Sequence, residues 1–195
     1  PSSGATDTAP PCPVRAAPAR RSARGTHLGV NDASGVGIPW SGTVAAAMHP
    51  LPIDALERSF VSACRPGARL VVSAPTGSGK STRLPWWMAD VLAGPVLVVE
   101  PRRVAARALA TYGAKLRGET VGARVGYRVR FDAAESEQTE ILFVTPGMAL
   151  ALLSDDASRF AGVLVDEFHE RGWETDLVTA LVQDGRLGPD AALVV

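Results

Sequence analysis

The residues whose types and spacing are best suited to chemistry lie in a glycine-rich segment, residues 74–82, which reads Ala-Pro-Thr-Gly-Ser-Gly-Lys-Ser-Thr. The segment directly follows the apolar run Leu70-Val71-Val72, which is typical of a phosphate-binding loop between a buried strand and a helix. Its glycines let successive backbone N–H groups point at phosphate oxygens, and the Lys80 ammonium can reach the β and γ phosphates of a nucleotide. The predicted nucleotide-binding residues are Thr76, Gly77, Ser78, Gly79, Lys80, Ser81 and Thr82.

A second chemical segment begins where the apolar run Val163-Leu164-Val165 ends in two adjacent carboxylates, Asp166 and Glu167. Asp166 is a candidate to hold Mg²⁺ through water, with the Ser81 hydroxyl as a ligand of the same ion. Glu167 is the candidate base, or water-orienting group, for attack on the γ-phosphate. The alternative is a solvated loop without function, which the phosphate-binding loop upstream makes the weaker interpretation. His169 taken alone is more typical of a packing histidine.

Length and composition exclude several classes of protein. The chain has 195 residues, enough for one domain with a core, and its formal net charge of zero argues against binding nucleic acid through overall charge. The cysteines, Cys12 and Cys64, show no Cys-x-x-Cys pattern, which argues against a disulfide framework or a zinc site and favours the reduced cytoplasm. No apolar run approaches the roughly 18 residues needed to span a bilayer, so no membrane association is expected.

Strand and helix patterns alternate from residue 51 onwards, and these elements must position the chemical residues. Residues 48–195 are predicted to form one α/β domain, in which near-continuous apolar strands indicate a mainly parallel sheet with helices on both faces. Asp54 is the predicted N-cap of the first helix, with Glu57 at the capping-box position. Residues 1–47 contain six prolines and no sustained periodicity, which predicts a disordered segment or a spurious N-terminal extension.

The carboxyl ends of parallel strands share one edge of the sheet, where ligands are expected to bind. Both chemical segments follow strands at this edge, and so do Thr145 and the basic pair Arg102 and Arg103. A basic pair in the first turn of a helix opposes the helix dipole, which favours a grip on a nucleic-acid phosphate backbone over simple solvation. The tryptophans near the helices are expected to pack them and not to stack on bases: Trp86, Trp87 and Trp173.

Four segments occur in the order found in the DEAH-type (DExH) helicases of superfamily 2, which the chain resembles over about residues 50–195. The segments are residues 74–82, 100–106, 125–131 and 166–171. The sequence Leu51-Pro52-Ile53-Asp54, and Phe168 in place of alanine within the DExH box, are similar to the bacterial HrpB-type ATP-dependent helicases.

The resemblance implies a RecA-like P-loop domain that binds ATP with Mg²⁺ and is the first of two such domains. It also implies that ATP hydrolysis drives movement along nucleic acid, with RNA favoured. The catalytic residues that it implies are Lys80, Asp166, Glu167 and His169, where His169 would couple the ATP site to neighbouring motifs. The residues that would contact the nucleic-acid backbone are Arg102, Arg103 and Thr145. Pro146 departs from the family, which commonly has an acidic residue there.

The family continues beyond the last residue of this chain, Val195, into a second RecA-like domain that carries the arginine fingers for phosphoryl transfer. Such fingers contribute on the order of 10³- to 10⁵-fold in rate, so a chain without them is expected to bind nucleotide weakly and hydrolyse it poorly. Two alternatives remain open at this point. One is another P-loop enzyme, such as a kinase or a transporter ATPase, and the other is a non-enzymatic module that binds partners in a nucleotide-dependent way.

Overall fold

Strands and helices alternate along the chain in the computed structural model, which describes residues 26–29 and 50–195. The strands are β1 Thr26–Gly29, β2 Arg69–Ser73, β3 Val96–Val99, β4 Val125–Val129, β5 Asp132–Ala134, β6 Ile141–Val144, β7 Gly162–Val165 and β8 Ala192–Val194. The helices are α1 Glu57–Ala63, α2 Lys80–Val91, α3 Arg103–Leu116, α4 Pro146–Asp156 and α5 Trp173–Gln183. Short 3₁₀ turns cover Pro52–Leu56, Ala157–Arg159 and Phe168–Glu170.

The strands form one sheet in the order β1-β2-β8-β7-β3-β6-β4-β5. All neighbours pair in parallel except β4 and β5, which form an antiparallel hairpin. Central β3 aligns Val99 with Val144 of β6 on one side and with Val165 of β7 on the other. The loops that follow these three strands therefore begin at the same edge of the sheet, and the predicted mainly parallel α/β architecture is confirmed.

Both faces of the sheet are covered, as the near-continuous apolar strands predict. Along β3, Val96 and Val98 pack into one core with α1, α2 and α3, whereas Leu97 and Val99 pack into a second core with α4 and α5. All four side chains are fully buried. Burial of a side chain of this size contributes about 1.5–3 kcal/mol, so these two cores hold the sheet edge in place.

The start of the domain differs from the sequence prediction. Asp54 is not an N-cap, because the 3₁₀ turn begins one residue after Leu51, whose backbone N–H donates to Asp54 Oδ2 at 2.7 Å. The Asp54 carboxylate also pairs with the Arg83 guanidinium, with Nε–Oδ1 2.7 Å and Nη2–Oδ2 3.1 Å. This ion pair between residues distant in sequence holds the Asp54 side chain, which therefore does not cap a helix. No local sequence pattern reveals the pair, and it links the first turn of the domain to α2.

Two strands were not predicted from the sequence. β5 is a three-residue Asp-Ala-Ala segment with little intrinsic strand preference, and it forms because it can pair with the open edge of β4. β1 falls within residues 1–47 and pairs in parallel with the edge of β2. The remainder of the predicted disordered segment lies outside the described residues.

The tryptophans of the described residues divide into two groups. Trp86 and Trp87 are buried against the α1 side of the sheet, and the Trp87 and Phe60 ring centroids are 5.6 Å apart. The prediction that Trp173 also packs the helices is wrong, because this side chain is 72% exposed at the first residue of α5. The buried residues of α5 lie elsewhere, at Thr175, Val178, Thr179 and Val182, which leaves its first residue outside the core. No helix within the described ranges is long and apolar enough to cross a membrane.

Candidate functional site

The phosphate-binding loop and the two adjacent carboxylates border a single cleft of about 710 Å³ at the carboxyl edge of the sheet. We call it the nucleotide cleft. Its lining includes Lys80 and Thr82 from the loop and from the start of α2, and Asp166, Glu167 and His169 from the segment after β7. The parallel register of β2, β8 and β7 brings these residues together, although many residues separate them in sequence.

The loop conformation depends on its two glycines. Gly77 and Gly79 have φ values of 77° and 101°, which L side chains rarely adopt. At Gly79, a Cβ atom would also lie 2.6 Å from Leu51 Cδ1. Helix α2 begins directly after Gly79 without a side-chain cap, so its first N–H groups remain available to an anion, as they are in phosphate-binding loops.

Lys80 is held over the loop by backbone carbonyl groups of the loop itself. The ammonium donates to the carbonyl oxygens of Ala74 at 2.6 Å and of Pro75 at 3.4 Å. Both acceptors are uncharged, so a phosphate oxygen would be a stronger partner for the same ammonium. The cation is thus positioned inside the loop, where an incoming phosphate group can take over its hydrogen bonds.

Asp166 has one satisfied carboxylate oxygen and one orphaned oxygen. Oδ1 accepts the Glu167 backbone N–H at 2.9 Å, whereas Oδ2 is buried without a hydrogen-bond partner among the described residues. Only 7% of the residue is exposed. An unpaired buried carboxylate oxygen is unfavourable, and a divalent cation or its bound water would satisfy it.

The donor set is suited to Mg²⁺ and not to a cation that is held by protein ligands alone. Within the described residues, no group of three or more His, Cys, Asp or Glu side chains is placed to hold a metal. Mg²⁺ usually takes one or two protein ligands and completes its shell with water and substrate phosphates. Ser81 and Asp166, which line the same cleft, are compatible with that requirement.

Glu167 occupies a strained backbone conformation. Its φ and ψ of 49° and 35° are left-handed, and it directly precedes the 3₁₀ turn Phe168–Glu170. Such a conformation costs of order 1–3 kcal/mol for a residue other than glycine and persists where the surroundings enforce it. His169 Nδ1 lies 3.3 Å from Glu167 Oε2, so the exposed imidazole contacts the carboxylate and is not buried in the core.

Glu100 is a third carboxylate near this edge, to which the sequence assigns no role. The residue is 3% exposed, and burial raises the pKa of its carboxyl to about 7. The neighbouring carboxylates raise the pKa further, and the Arg102 N–H, which donates to Oε1 at 3.0 Å, opposes the shift. The only sequence signal was its position at the end of β3, immediately before the basic pair.

A second cleft of about 600 Å³ lies beside the first and contains two of the three predicted nucleic-acid contacts. We call it the basic cleft. Arg103 and Thr145 line it, and Arg102 joins its border through an ion pair with Glu170. Thr145 is the N-cap of α4 but makes no side-chain capping bond, which leaves its hydroxyl available. Pro146 occupies the first turn of α4, where proline is well tolerated.

Two further residues that line the basic cleft, Arg130 and Trp173, were given no binding role in the sequence analysis. Arg130 lies in the β4–β5 turn, and its carbonyl oxygen accepts a hydrogen bond from Arg103 Nη2 at 2.7 Å. Because β5 was not predicted, nothing in the sequence placed this turn beside α3. Glu167 lines both clefts, so the two clefts share a wall.

Comparison with known proteins gives a consistent result. The family model for the DEAD/DEAH box helicase matches residues 55–182. The chain is 34% identical over 148 residues to the DExH-box ATP-dependent RNA helicase DExH1 of Arabidopsis thaliana, covering 71% of this chain and 15% of that protein. It is 35% identical over 156 residues to the probable ATP-dependent RNA helicase DHR2 of Saccharomyces cerevisiae, covering 74% and 21%.

A solved structure supports the same relationship. The chain matches the crystal structure of the Escherichia coli DEAH/RHA helicase HrpB with a TM-score of 0.67 and 34% identity, covering 74% of this chain and 19% of that one. The chain spans about a fifth or less of the length of the curated relatives described above.

Proposed function

Because this chain belongs to the DEAD/DEAH box helicase family, we propose that it is the ATP-binding and nucleic-acid-binding motor domain of an ATP-dependent RNA helicase. In the whole protein, ATP hydrolysis would be coupled to movement along RNA or to its unwinding. The observation that carries the proposal is the shared cleft: the Lys80 loop and the Asp166–Glu167 pair, distant in sequence, line the same cavity.

In the nucleotide cleft, the N–H groups at the start of α2 and the Lys80 ammonium bind the β and γ phosphates of ATP. Ser81 and Asp166 would hold a Mg²⁺ ion, which would supply neutralisation of charge on the phosphate oxygens. Glu167 orients the attacking water and accepts its proton as the new O–P bond forms and the bond to the leaving β-phosphate oxygen breaks. His169 positions the Glu167 carboxylate.

In the basic cleft, Arg102, Arg103 and Thr145 contact phosphate groups of an RNA strand. The two relatives named above are both described as RNA helicases, which supports RNA as the nucleic acid. The formal net charge of the chain is zero, so the affinity must come from local contacts of this kind.

We propose a cytoplasmic location for this activity on the basis of cysteine usage. The sequence has two cysteines, and the Cys64 thiol is free and buried. Burial raises the pKa of this thiol to about 11, so it stays protonated and unreactive near neutral pH.

The nucleotide site is tested by Lys80→Ala, with the only other lysine, the exposed Lys115, as the matched control. Titration of a fluorescent ATP analogue with Mg²⁺ should show at least about a tenfold weaker affinity for Lys80→Ala, because a charge-assisted contact is worth about 1.5–3 kcal/mol. Lys115→Ala should bind like the wild type. Equal affinities for the wild type and Lys80→Ala would refute the assignment.

The nucleic-acid site is tested by the double variant Arg102→Ala/Arg103→Ala. Its control is Arg65→Ala/Arg186→Ala, which removes the same charge from loops that precede β2 and β8, at the opposite edge of the sheet. Only the first variant should weaken binding of a single-stranded RNA, and the slope of log affinity against log salt should fall by about 0.7 per lost phosphate contact. Equal loss in both variants would show that only net charge matters. Nucleotide binding without RNA binding would favour another P-loop enzyme.

A further inference from the structure

Trp173 is the largest of the exposed apolar side chains in the described part of the chain. It is 72% exposed, whereas Trp86 and Trp87 are 7% and 3% exposed. A single exposed apolar residue needs no explanation in general. This one, however, lines the basic cleft together with Arg103, Arg130 and Thr145.

The arginines around Trp173 differ in whether they form an ion pair with a carboxylate. Arg171 is paired with Asp176 through two hydrogen bonds of 3.1 and 2.9 Å, and Arg102 is paired with Glu170. In contrast, no ion pair with a carboxylate is found for Arg103 or Arg130 within residues 50–195. The exposed indole therefore shares its cleft with two cations that have no ion pair with a carboxylate, although the Glu167 and Glu174 carboxylates line the same cleft.

This combination selects for a polyanion that carries planar rings. Unpaired guanidinium groups attract phosphates, and an exposed indole offers a flat surface on which any base can stack. The Thr145 hydroxyl, which makes no capping bond, adds a donor for a phosphate oxygen or a sugar hydroxyl. Single-stranded nucleic acid supplies all three complementary groups, because its bases are not occupied in a duplex.

We propose that Trp173 stacks on a base of a single-stranded RNA whose phosphates contact Arg103 and Arg130. The proposal rests on the nucleic-acid-binding function proposed above and assigns a base contact to a cleft whose other contacts read only the backbone. Stacking on an aromatic side chain is tolerant of sequence, so Trp173 contributes affinity without base specificity.

The main competing occupant is a protein surface, which could be a second copy of this chain. Leu177 is 42% exposed one helical turn after Trp173, and a protein partner would bury both side chains together. Leu177 does not line the basic cleft, however, whereas two unpaired arginines do. Removal of Leu177 therefore separates the two occupants.

The experiment measures binding of a labelled oligouridine of about 12 nucleotides, within the usual range of single-strand site sizes, and of an abasic oligomer with the same number of phosphates. The proteins are the wild type, Trp173→Ala, Trp173→Phe and, as the control, Leu177→Ala. Circular dichroism melting confirms that each variant folds, which is expected because Trp173 lies outside the core.

For oligouridine we expect Trp173→Ala to weaken binding about tenfold, Trp173→Phe to retain most of the affinity, and Leu177→Ala to change nothing. For the abasic oligomer we expect no loss with Trp173→Ala. The same loss on both oligomers, no loss on oligouridine, or an equal loss with Leu177→Ala would each overturn the proposal. A change of oligomeric state in Trp173→Ala, seen by sedimentation without a change in RNA affinity, would assign the side chain to a protein interface.

The two proposals fail in different ways. If the wild type binds neither oligomer, the nucleic-acid function itself is refuted. If the wild type binds RNA, and Arg102→Ala/Arg103→Ala loses this binding whereas Trp173→Ala keeps it, only the stacking contact is refuted.

Discussion

The two clefts are built in different ways. In the nucleotide cleft, backbone conformation and burial position the groups: two glycines with positive φ, a helix start without a cap, and a carboxylate that is 7% exposed. In the basic cleft, exposed side chains from separate elements converge, and the Arg103 and Trp173 side chains border open solvent. A compact triphosphate requires fixed geometry, whereas a mobile strand of nucleic acid can adapt to flexible cations.

Substitution of Asp166 is the strongest test of this difference between the two clefts. Asp166→Asn should remove most of the Mg²⁺-dependent gain in nucleotide affinity, about 10- to 100-fold, because a neutral amide replaces the anionic metal ligand. Calorimetry with and without Mg²⁺ measures the gain. RNA affinity should remain within about twofold of the wild type, and a comparable loss of both affinities would contradict the separation of the two clefts.

A comparison of Gly79→Ala with Gly77→Ala tests how far the nucleotide cleft depends on the backbone conformation of its glycines. Both positions have positive φ, which costs an alanine about 1–2 kcal/mol. At Gly79 the new Cβ would also lie 2.6 Å from Leu51, whereas nothing lies within 4 Å at Gly77. Urea denaturation should therefore show the larger loss of unfolding free energy for Gly79→Ala. Equal losses would show that only φ matters and that contact with residue 51 does not.

Glu100 tests whether burial at the sheet edge has an energetic cost. Its pKa in the folded state, about 7, lies above the ordinary value of 4.5, so the folded state binds more protons between these pH values. The contribution of Glu100 to the unfolding free energy is fully present below about pH 4.5. It falls as pH rises towards 7, by up to about 3 kcal/mol in total. Glu100→Gln should remove this loss, so that denaturation at pH 5 and pH 8 gives more similar free energies than in the wild type. An unchanged pH dependence would contradict the raised pKa.

The smallest expected effect belongs to Thr145 in the basic cleft. Thr145→Val preserves the shape of the side chain and removes one hydroxyl, so RNA affinity should fall by about two- to tenfold, the value of one hydrogen bond. Binding of the ATP analogue should be unchanged. A loss of nucleotide affinity in this variant would show that α4 supports the nucleotide cleft.

The same contrast explains how much the sequence alone could predict. The nucleotide-cleft residues lie in two short segments next to apolar strands, and strand patterns with local spacing were sufficient to place them at one edge. Arg130 could not be placed because it depends on β5, a three-residue strand formed only by tertiary pairing. Trp173 was expected to pack the helices together with Trp86 and Trp87. Its exposure follows from the rotation of α5, which its sequence alone did not determine.

Sequence patterns also could not predict the burial of Glu100 or the ion pair of Asp54. Glu100 and Asp54 appear in the sequence as ordinary acidic residues. The first has a raised pKa because the completed sheet buries it, and the second is held by an arginine 29 residues away in sequence. Both properties arise from contacts between elements, which no local spacing encodes.

The wall that the clefts share has a thermodynamic consequence. One short turn, residues 166–170, contains Asp166 and Glu167 on the nucleotide side and, through Glu170, the ion pair with Arg102 on the other. If ATP and RNA each favour a different position of this turn, each ligand must change the affinity of the other by the same factor. A domain of this kind would need no long relay between its two ligands, because this one five-residue turn borders both clefts.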